Sequence, residues 1–448
     1  MSAKTLIYGM GISGRGAAKL KGQEGKSLIL FDAKEDYDME GLIKELGLKD
    51  VSYMTGKLDR KVLDEVDTMV IGPGVPLDSP DVLYAKEKGI LITGEIEEAF
   101  KAARGRLIAI TGTNGKTTTT ALAGDIMKAA FKSAFTVGNI GNSYAAEALN
   151  TTDESVCTAE ISSFQLETAK VFHPYISAIL NITPDHMNRH KTFENYANIK
   201  LSIAKNQTKD EVCVINYDDE YLRKISENIT PRKFYFSMHP LKEGVYYKDG
   251  YIMYNNGKKE IPVIKRSDIE LMGDHNVENV MAAVAISISM EVPMDTMVNV
   301  IKNFKAVEHR IEFVCEKKGV KYYNDSKGTN IDASGKAVHS MTSPTVLIAG
   351  GYDKGADFTD WIKNFDGIIK AMVLIGTTAP KIKETALKVG FTNIYMADDL
   401  KEAVDICASL AKPGENVLLS PACASWDQFK NFEERGRLFK EYARSLAD

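Results

Sequence analysis

Short apolar runs that close on glycine or a polar side chain recur along the chain, and stretches of helical periodicity separate them. Thr5 to Tyr8 leads into Gly9-Met10-Gly11-Ile12-Ser13-Gly14, and Ser27 to Phe31 ends on Asp32. Thr68 to Ile71 precedes Gly72-Pro73-Gly74, and Ile90 to Ile92 precedes Thr93-Gly94-Glu95. Strands that end in small-residue turns build ligand crevices at the C-terminal rim of an open α/β sheet. Residues 1–97 are therefore predicted to form a small Rossmann-like domain.

A second unit, 98–303, centres on Ile108 to Thr111, an apolar strand entering Gly112-Thr113-Asn114-Gly115-Lys116-Thr117-Thr118. The glycines let the turn close so that backbone N–H groups face a polyphosphate, while Lys116 adds a positive charge and Thr117 a hydroxyl for Mg²⁺. The spacing departs from G-x-x-x-x-G-K-[ST], because Ile110 stands where the first glycine would be. A helix is predicted from Thr117 to Phe131, a strand from Val156 to Ala159 ending at Glu160, and a longer strand from Tyr175 to Thr183 ending at Pro184-Asp185-His186. In a parallel sheet these ends share one rim with the phosphate loop, which makes Glu160 and His186 candidate ligands of the same Mg²⁺.

Thr192 reads as the N-cap of a helix whose apolar stripe runs through Phe193, Tyr196, Ala197 and Ala204. Lys200 falls on that stripe, so it either snorkels to solvent or is held inside with its charge altered or paired. Gly244 to Ile264 alternates about Asp249-Gly250 and Asn255-Asn256-Gly257, the pattern of edge hairpins. A helix follows from Asn276 to Met290. In a third unit, 304–448, strands are predicted at Val320–Tyr323, Val346–Ala349, Met372–Ile375, Asn393–Met396 and Asn416–Leu419, with helical stretches between them. The expected class is α/β in three domains: a Rossmann-like N-terminal domain, a central P-loop ATPase domain with a mostly parallel sheet and a small antiparallel edge, and a C-terminal Rossmann-like domain.

Composition narrows the chemistry. A chain of 448 residues exceeds what one core organises, and 44% hydrophobic with 26% charged residues is ordinary for a globular protein. A net charge of -5 gives no global attraction to nucleic acid, which is not expected as a partner. Five scattered cysteines without C-x-x-C spacing argue against a disulfide framework or a zinc site and fit a reducing compartment. The N-terminus lacks an apolar signal region, and the longest apolar tract, Val280 to Met290, is too short to span a bilayer. Neither export nor membrane insertion is expected. Taken alone, Gly9 to Gly14 with Asp32 about 20 residues on also fits a dinucleotide site, which leaves a nicotinamide dehydrogenase open.

Taken together, Thr111 to Thr117, Gly138-Asn139-Ile140-Gly141, Glu160 to Glu167, Asp185 to Arg189, Gly273 to Asn276, His309-Arg310, Asn324 to Asn330 and Ser420 to Gly436 resemble the Mur ligases, the ATP-dependent amino-acid-adding enzymes of peptidoglycan synthesis. The block from Ser420 to Gly436 is similar to the branch of that family that adds D-glutamate. The resemblance implies a cytoplasmic, monomeric enzyme that joins D-glutamate to UDP-N-acetylmuramoyl-L-alanine (UDP-MurNAc-L-Ala) through an acyl phosphate. Its cofactors would be ATP and two Mg²⁺. It implies ATP contacts from Gly112, Thr113, Asn114, Gly115, Lys116, Thr117, Thr118, Asn276, Arg310 and Asp325. Metal ligands would be Thr117, Glu160, His186 and Lys200, the last as a carbamate, and Lys116, Glu160, His186 and Lys200 would be catalytic. The sugar nucleotide would meet Gly11, Ile12, Ser13, Asp32, Gly74 and Asn139. D-glutamate would meet Lys327, Thr329, Lys354, Ser425 and Phe432, and domain closure would bring nucleotide and amino acid together. Two competing readings are a sister ligase adding another amino acid and a P-loop regulator without ligase activity.

Overall fold

Twenty strands gather into three sheets in the computed structural model, which describes residues 4–353 and 355–447. The first sheet is fully parallel, in the order β3-β2-β1-β4-β5: β1 (Lys4–Tyr8), β2 (Leu28–Asp32), β3 (Val51–Thr55), β4 (Val66–Ile71) and β5 (Leu91–Gly94). Side chains alternate between its faces: Leu6, Ile29 and Met69 share one apolar cluster, while Ile7, Leu30 and Val70 share the other. Strand order reverses at β1, so the turns after β1 and β4 flank the crevice expected at a switch point.

The second sheet holds β6 (Arg106–Thr111), β7 (Ala134–Gly138), β8 (Val156–Glu160), β9 (Ile176–Ile179), β10 (Val212–Asn216), β11 (Arg232–Ser237), β12 (Gly244–Lys248), β13 (Tyr251–Asn255) and β14 (Glu260–Lys265). Their order is β14-β13-β12-β11-β10-β9-β6-β8-β7. Strands β6 to β12 pair in parallel and the β12-β13-β14 edge is antiparallel, as the alternating tract predicted. The third sheet, β15-β16-β20-β17-β18-β19, comprises β15 (Glu312–Lys317), β16 (Val320–Asn324), β17 (Thr345–Gly350), β18 (Ile369–Ile375), β19 (Ile394–Met396) and β20 (Asn416–Leu419). Within it the β15–β16 pair is antiparallel and the other pairs are parallel.

The chain forms two compact units. One holds Met1–Asp268 and Glu278–Lys302; the other holds Ile269–Val277 and Asn303–Asp448. Within the first, the helix Glu95–Ala102 joins the two sheets through buried carboxylates. Glu95 accepts from the Ser143 hydroxyl and the Ala145 N–H, and Glu97 accepts from the N–H groups of Lys170, Val171 and Phe172.

Two details differ from expectation. The strand expected to reach Thr183 stops at Ile179, because from Asn181 onward the chain bonds to the phosphate loop instead of a neighbouring strand. Strands β3, β10 and β15 lack the clean alternation that marks a half-buried strand. The edges β3 and β15 are largely exposed or charged, while β10 is buried on both faces.

Candidate active site

The phosphate loop follows β6, and Ile110 lies inside that strand, fully buried and in register with Glu160 of β8. The departure from the usual spacing is thus a strand residue, and the loop proper begins at Gly112. Gly115 has φ 84°, a conformation that favours glycine, and a Cβ there would also press on the Asn279 Oδ1, 2.2 Å away. The loop is braced from the β9 side. Asn181 accepts from the Asn114 N–H at 2.8 Å and donates to its carbonyl at 3.1 Å, and the Thr113 N–H donates to the Asn181 carbonyl. Thr113 Oγ1 also lies 3.1 Å from the Tyr196 hydroxyl. The helix Lys116–Ala130 starts at once, with Thr117 and Thr118 buried in its first turn.

Two lysines converge on one oxygen. Lys116 Nζ donates to the Gly112 carbonyl at 2.8 Å and to that of Thr113 at 2.9 Å, and Lys200 Nζ donates to the same Gly112 carbonyl at 2.8 Å. Lys200, on the helix Phe193–Leu201, is 1% exposed and sits over the Tyr196 ring. Burial first, and the Lys116 charge second, hold its ammonium far below the usual lysine range; the carboxylates of Asp185 and Glu160 pull the other way. The lysine on the apolar stripe therefore points inward, and snorkelling is excluded.

Glu160 ends β8, is buried, and takes the Asn139 Nδ2 at 2.9 Å on Oε1. The residue expected to meet the sugar nucleotide thus touches an expected metal ligand. His186 has φ 55° and caps the one-turn helix Met187–His190, with its ring edge-on to Phe164 at 4.8 Å. Asp185, not among the expected ligands, adds a carboxylate beside Lys200. A buried carboxylate, a threonine hydroxyl, an imidazole and an amine that can become an anion are donors suited to a hard divalent cation bound to phosphate oxygens.

In the first sheet, Gly11 caps the helix Ile12–Gln23, Ile12 is exposed and Ser13 half-buried. A Cβ on Gly14 would lie 1.8 Å from the Gly9 carbonyl oxygen. Asp32 accepts from the Met10 N–H at 2.7 Å and the Lys34 N–H at 2.9 Å, so its carboxylate pins the glycine turn. Gly74 is exposed in the turn after β4.

The second unit gathers the remaining candidates around the ends of β16 and β20. Asp325 is buried, accepts from the Ser420 hydroxyl at 2.7 Å, and has its carboxyl pushed up to about 7 by burial, against the pull of Ser420 and Arg310. Lys327 Nζ lies 5.3 Å from the Phe432 ring centroid, the half-buried Thr329 donates its N–H to the Lys327 carbonyl, and Ser425 is buried. Asn276 donates to the Met272 carbonyl at 2.7 Å, and Arg310 is half-buried after the strained His309, φ 65°. Lys354 lies outside the described residues.

Asn181 and Asn279, which sequence reasoning passes over, help to hold these loops, together with Tyr196, read only as a stripe residue, and Arg435, read only as part of the Ser420–Gly436 block. Arg435 is completely buried and donates to Ser326 Oγ and to the carbonyls of Ser326 and Cys423, which ties the β16 and β20 loops together. In the sequence it falls inside the Ser420–Gly436 block that carries the resemblance, with nothing there to mark it as buried. Glu308, His309 and Glu312 also cluster, but Lys440 bridges the two carboxylates, so the group is a salt-bridge network.

Among the described residues no helix is long and apolar enough to cross a membrane. Family models match in three consecutive pieces: a Mur ligase MurD-like N-terminal domain over residues 3–94, a Mur ligase middle domain over 110–287, and a Mur ligase glutamate ligase domain over 309–423. The chain is 49% identical over its full length to 99% of a UDP-N-acetylmuramoylalanine--D-glutamate ligase from Lachnoclostridium phytofermentans. It is 42% identical to the protein of that name from Clostridioides difficile, with 99% of this chain and 98% of the other aligned. Among solved structures, UDP-N-acetylmuramate-alanine ligase from Thermotoga maritima shares the fold with a TM-score of 0.63 at 16% identity, over 99% of both chains. Family matches to each of the three sheets, and relatives of this identity along the whole length, mean that the chain belongs to the Mur ligase family.

Proposed function

We propose that the protein uses ATP to join D-glutamate to the L-alanyl carboxylate of UDP-MurNAc-L-Ala, in the cytoplasm. The observation that carries this reading is the convergence of Lys116 and Lys200 on the Gly112 carbonyl beside Glu160 and Asp185. A fully buried ammonium there is disfavoured, and the neutral amine is the form that adds CO₂. As a carbamate, Lys200 would become an anion and reverse the local charge balance. Thr117, Glu160, His186 and carbamylated Lys200 would hold Mg²⁺. When bound, the cation would neutralise phosphate oxygens so that a carboxylate can approach them.

The chain's own groups supply the rest. The N–H groups from Gly112 to Thr117 would cradle the ATP phosphates, and Lys116 would turn from its carbonyl partners to the transferring phosphoryl group. The alanyl carboxylate attacks the γ-phosphorus and ADP leaves. The D-glutamate amine then attacks the acyl carbon, loses a proton, and phosphate departs. Lys327, Thr329, Ser425 and Phe432 would hold D-glutamate, with Lys354 as a second cation for its carboxylates. Asn276, Arg310 and Asp325 would face the nucleotide, and Gly11, Ile12, Ser13, Asp32, Gly74 and Asn139 the sugar nucleotide. The names of the relatives, at 42% to 49% identity, support D-glutamate over other amino acids.

A phosphate-release assay with ATP, UDP-MurNAc-L-Ala and a panel of amino acids tests the assignment. Turnover is expected with D-glutamate; equal or faster turnover with L-alanine or a diamino acid would make the protein a sister ligase. No amino-acid-dependent phosphate release at all would point to a nucleotide-binding regulator.

A further inference from the structure

Arg189 is the third residue of the one-turn helix Met187–His190 that His186 caps, and its guanidinium is committed on every side. Nη1 donates to the Pro73 carbonyl at 2.9 Å and Nη2 to the Val75 carbonyl at 3.1 Å. Nε donates to Glu167 Oε1 at 3.2 Å, and Nη2 also reaches Glu167 Oε2. The guanidinium lies over the Phe164 ring, 4.5 Å from its centroid, and the same ring meets His186. Behind it, Glu167 Oε1 lies 3.4 Å from His190 Nδ1, and His190 Nε2 lies 3.0 Å from Ser163 Oγ.

We propose that Arg189 is a positioning residue: it ties the Gly72–Val75 turn of the first sheet to the short helix behind His186, so that seating a sugar nucleotide on that turn and setting the His186 imidazole are coupled. Paired with Glu167 and bonded to two carbonyls, the guanidinium is a tie and not an anion receptor. Only its planar fork can serve both carbonyls and the carboxylate, which lysine cannot do. The N–H groups of Arg189 and His190 both donate to the His186 carbonyl, so a pull on the helix is felt at His186. The inference rests on the proposed reading in which Gly74 meets the sugar nucleotide and His186 a metal.

The test compares the full-length protein with Arg189→Met, Arg189→Lys and Glu167→Gln. Without any substrate, hydrogen exchange is expected to quicken at Val75, Arg189 and His190 in Arg189→Met and to stay unchanged in the helix Lys116–Ala130. With substrates, the KM for UDP-MurNAc-L-Ala and the Mg²⁺ concentration for half-maximal rate should both rise at least about tenfold, with the KM for D-glutamate within about twofold. Arg189→Lys should not rescue either, and Glu167→Gln should move both in the same direction; it also carries the test if Arg189→Met does not fold. Unchanged exchange at Val75 and His190, or a rise in one kinetic constant without the other, overturns the coupling. A wild-type protein that fails to turn over UDP-MurNAc-L-Ala defeats the functional reading instead, and the exchange experiment still decides the tie.

Discussion

Lys116 and Lys200 each stand 2.8 Å from the Gly112 oxygen, so two full positive charges there would repel by roughly 3 kcal/mol even at an effective dielectric near 20. Desolvation of Lys200 adds to that cost, so the charged ammonium is disfavoured at the site, and the proposed carbamate would remove it. With ¹³C-bicarbonate, the wild-type protein should show a carbamate carbonyl resonance that Lys200→Ala lacks, and the variant should lose at least about 10²-fold in rate. A fully active Lys200→Ala, or a wild-type spectrum without the resonance, contradicts the assignment. The sequence shows Lys200 as an anomaly on an apolar stripe, and that anomaly is what the buried geometry explains. The bracing roles of Asn181, Asn279 and Arg435 are not legible in the sequence, because each acts across the fold on a loop distant along the chain.

Elements place these side chains by one device used three times: a strand end and a tight turn at the point where strand order changes direction. Strands whose ends carry glycine or polar signals are legible for that reason. Strands β3 and β10 are not, since an exposed edge and a doubly buried run both lack a two-residue period. The turn after β1 shows how little freedom the device leaves. A Cβ at Gly14 would meet the Gly9 carbonyl at 1.8 Å, and backbone cannot yield as a side chain can. Gly14→Ala should therefore cost about 2 kcal/mol or more of stability and weaken sugar-nucleotide binding. Thermal unfolding and titration with UDP-MurNAc-L-Ala check this; a variant as stable and as tight-binding as wild type would show that the turn is not the constraint.

At the scale of the whole chain, the proposed roles divide between two units. The first carries the phosphate loop, the two lysines and the crevice of the first sheet, and the second carries Asp325, Lys327, Ser425 and Phe432. Membership of the Mur ligases accounts for all three sheets, while the chemistry rests on the residues themselves. That chemistry makes one commitment that no simple nucleotide binder or dehydrogenase shares: an oxygen of the alanyl carboxylate leaves with the phosphate. UDP-MurNAc-L-Ala carrying ¹⁸O in both oxygens of that carboxylate, turned over once with ATP and D-glutamate, measures it directly by mass spectrometry of the products. One ¹⁸O is expected in each phosphate released and one in the new amide; amide formed alongside unlabelled phosphate would rule out the acyl-phosphate route.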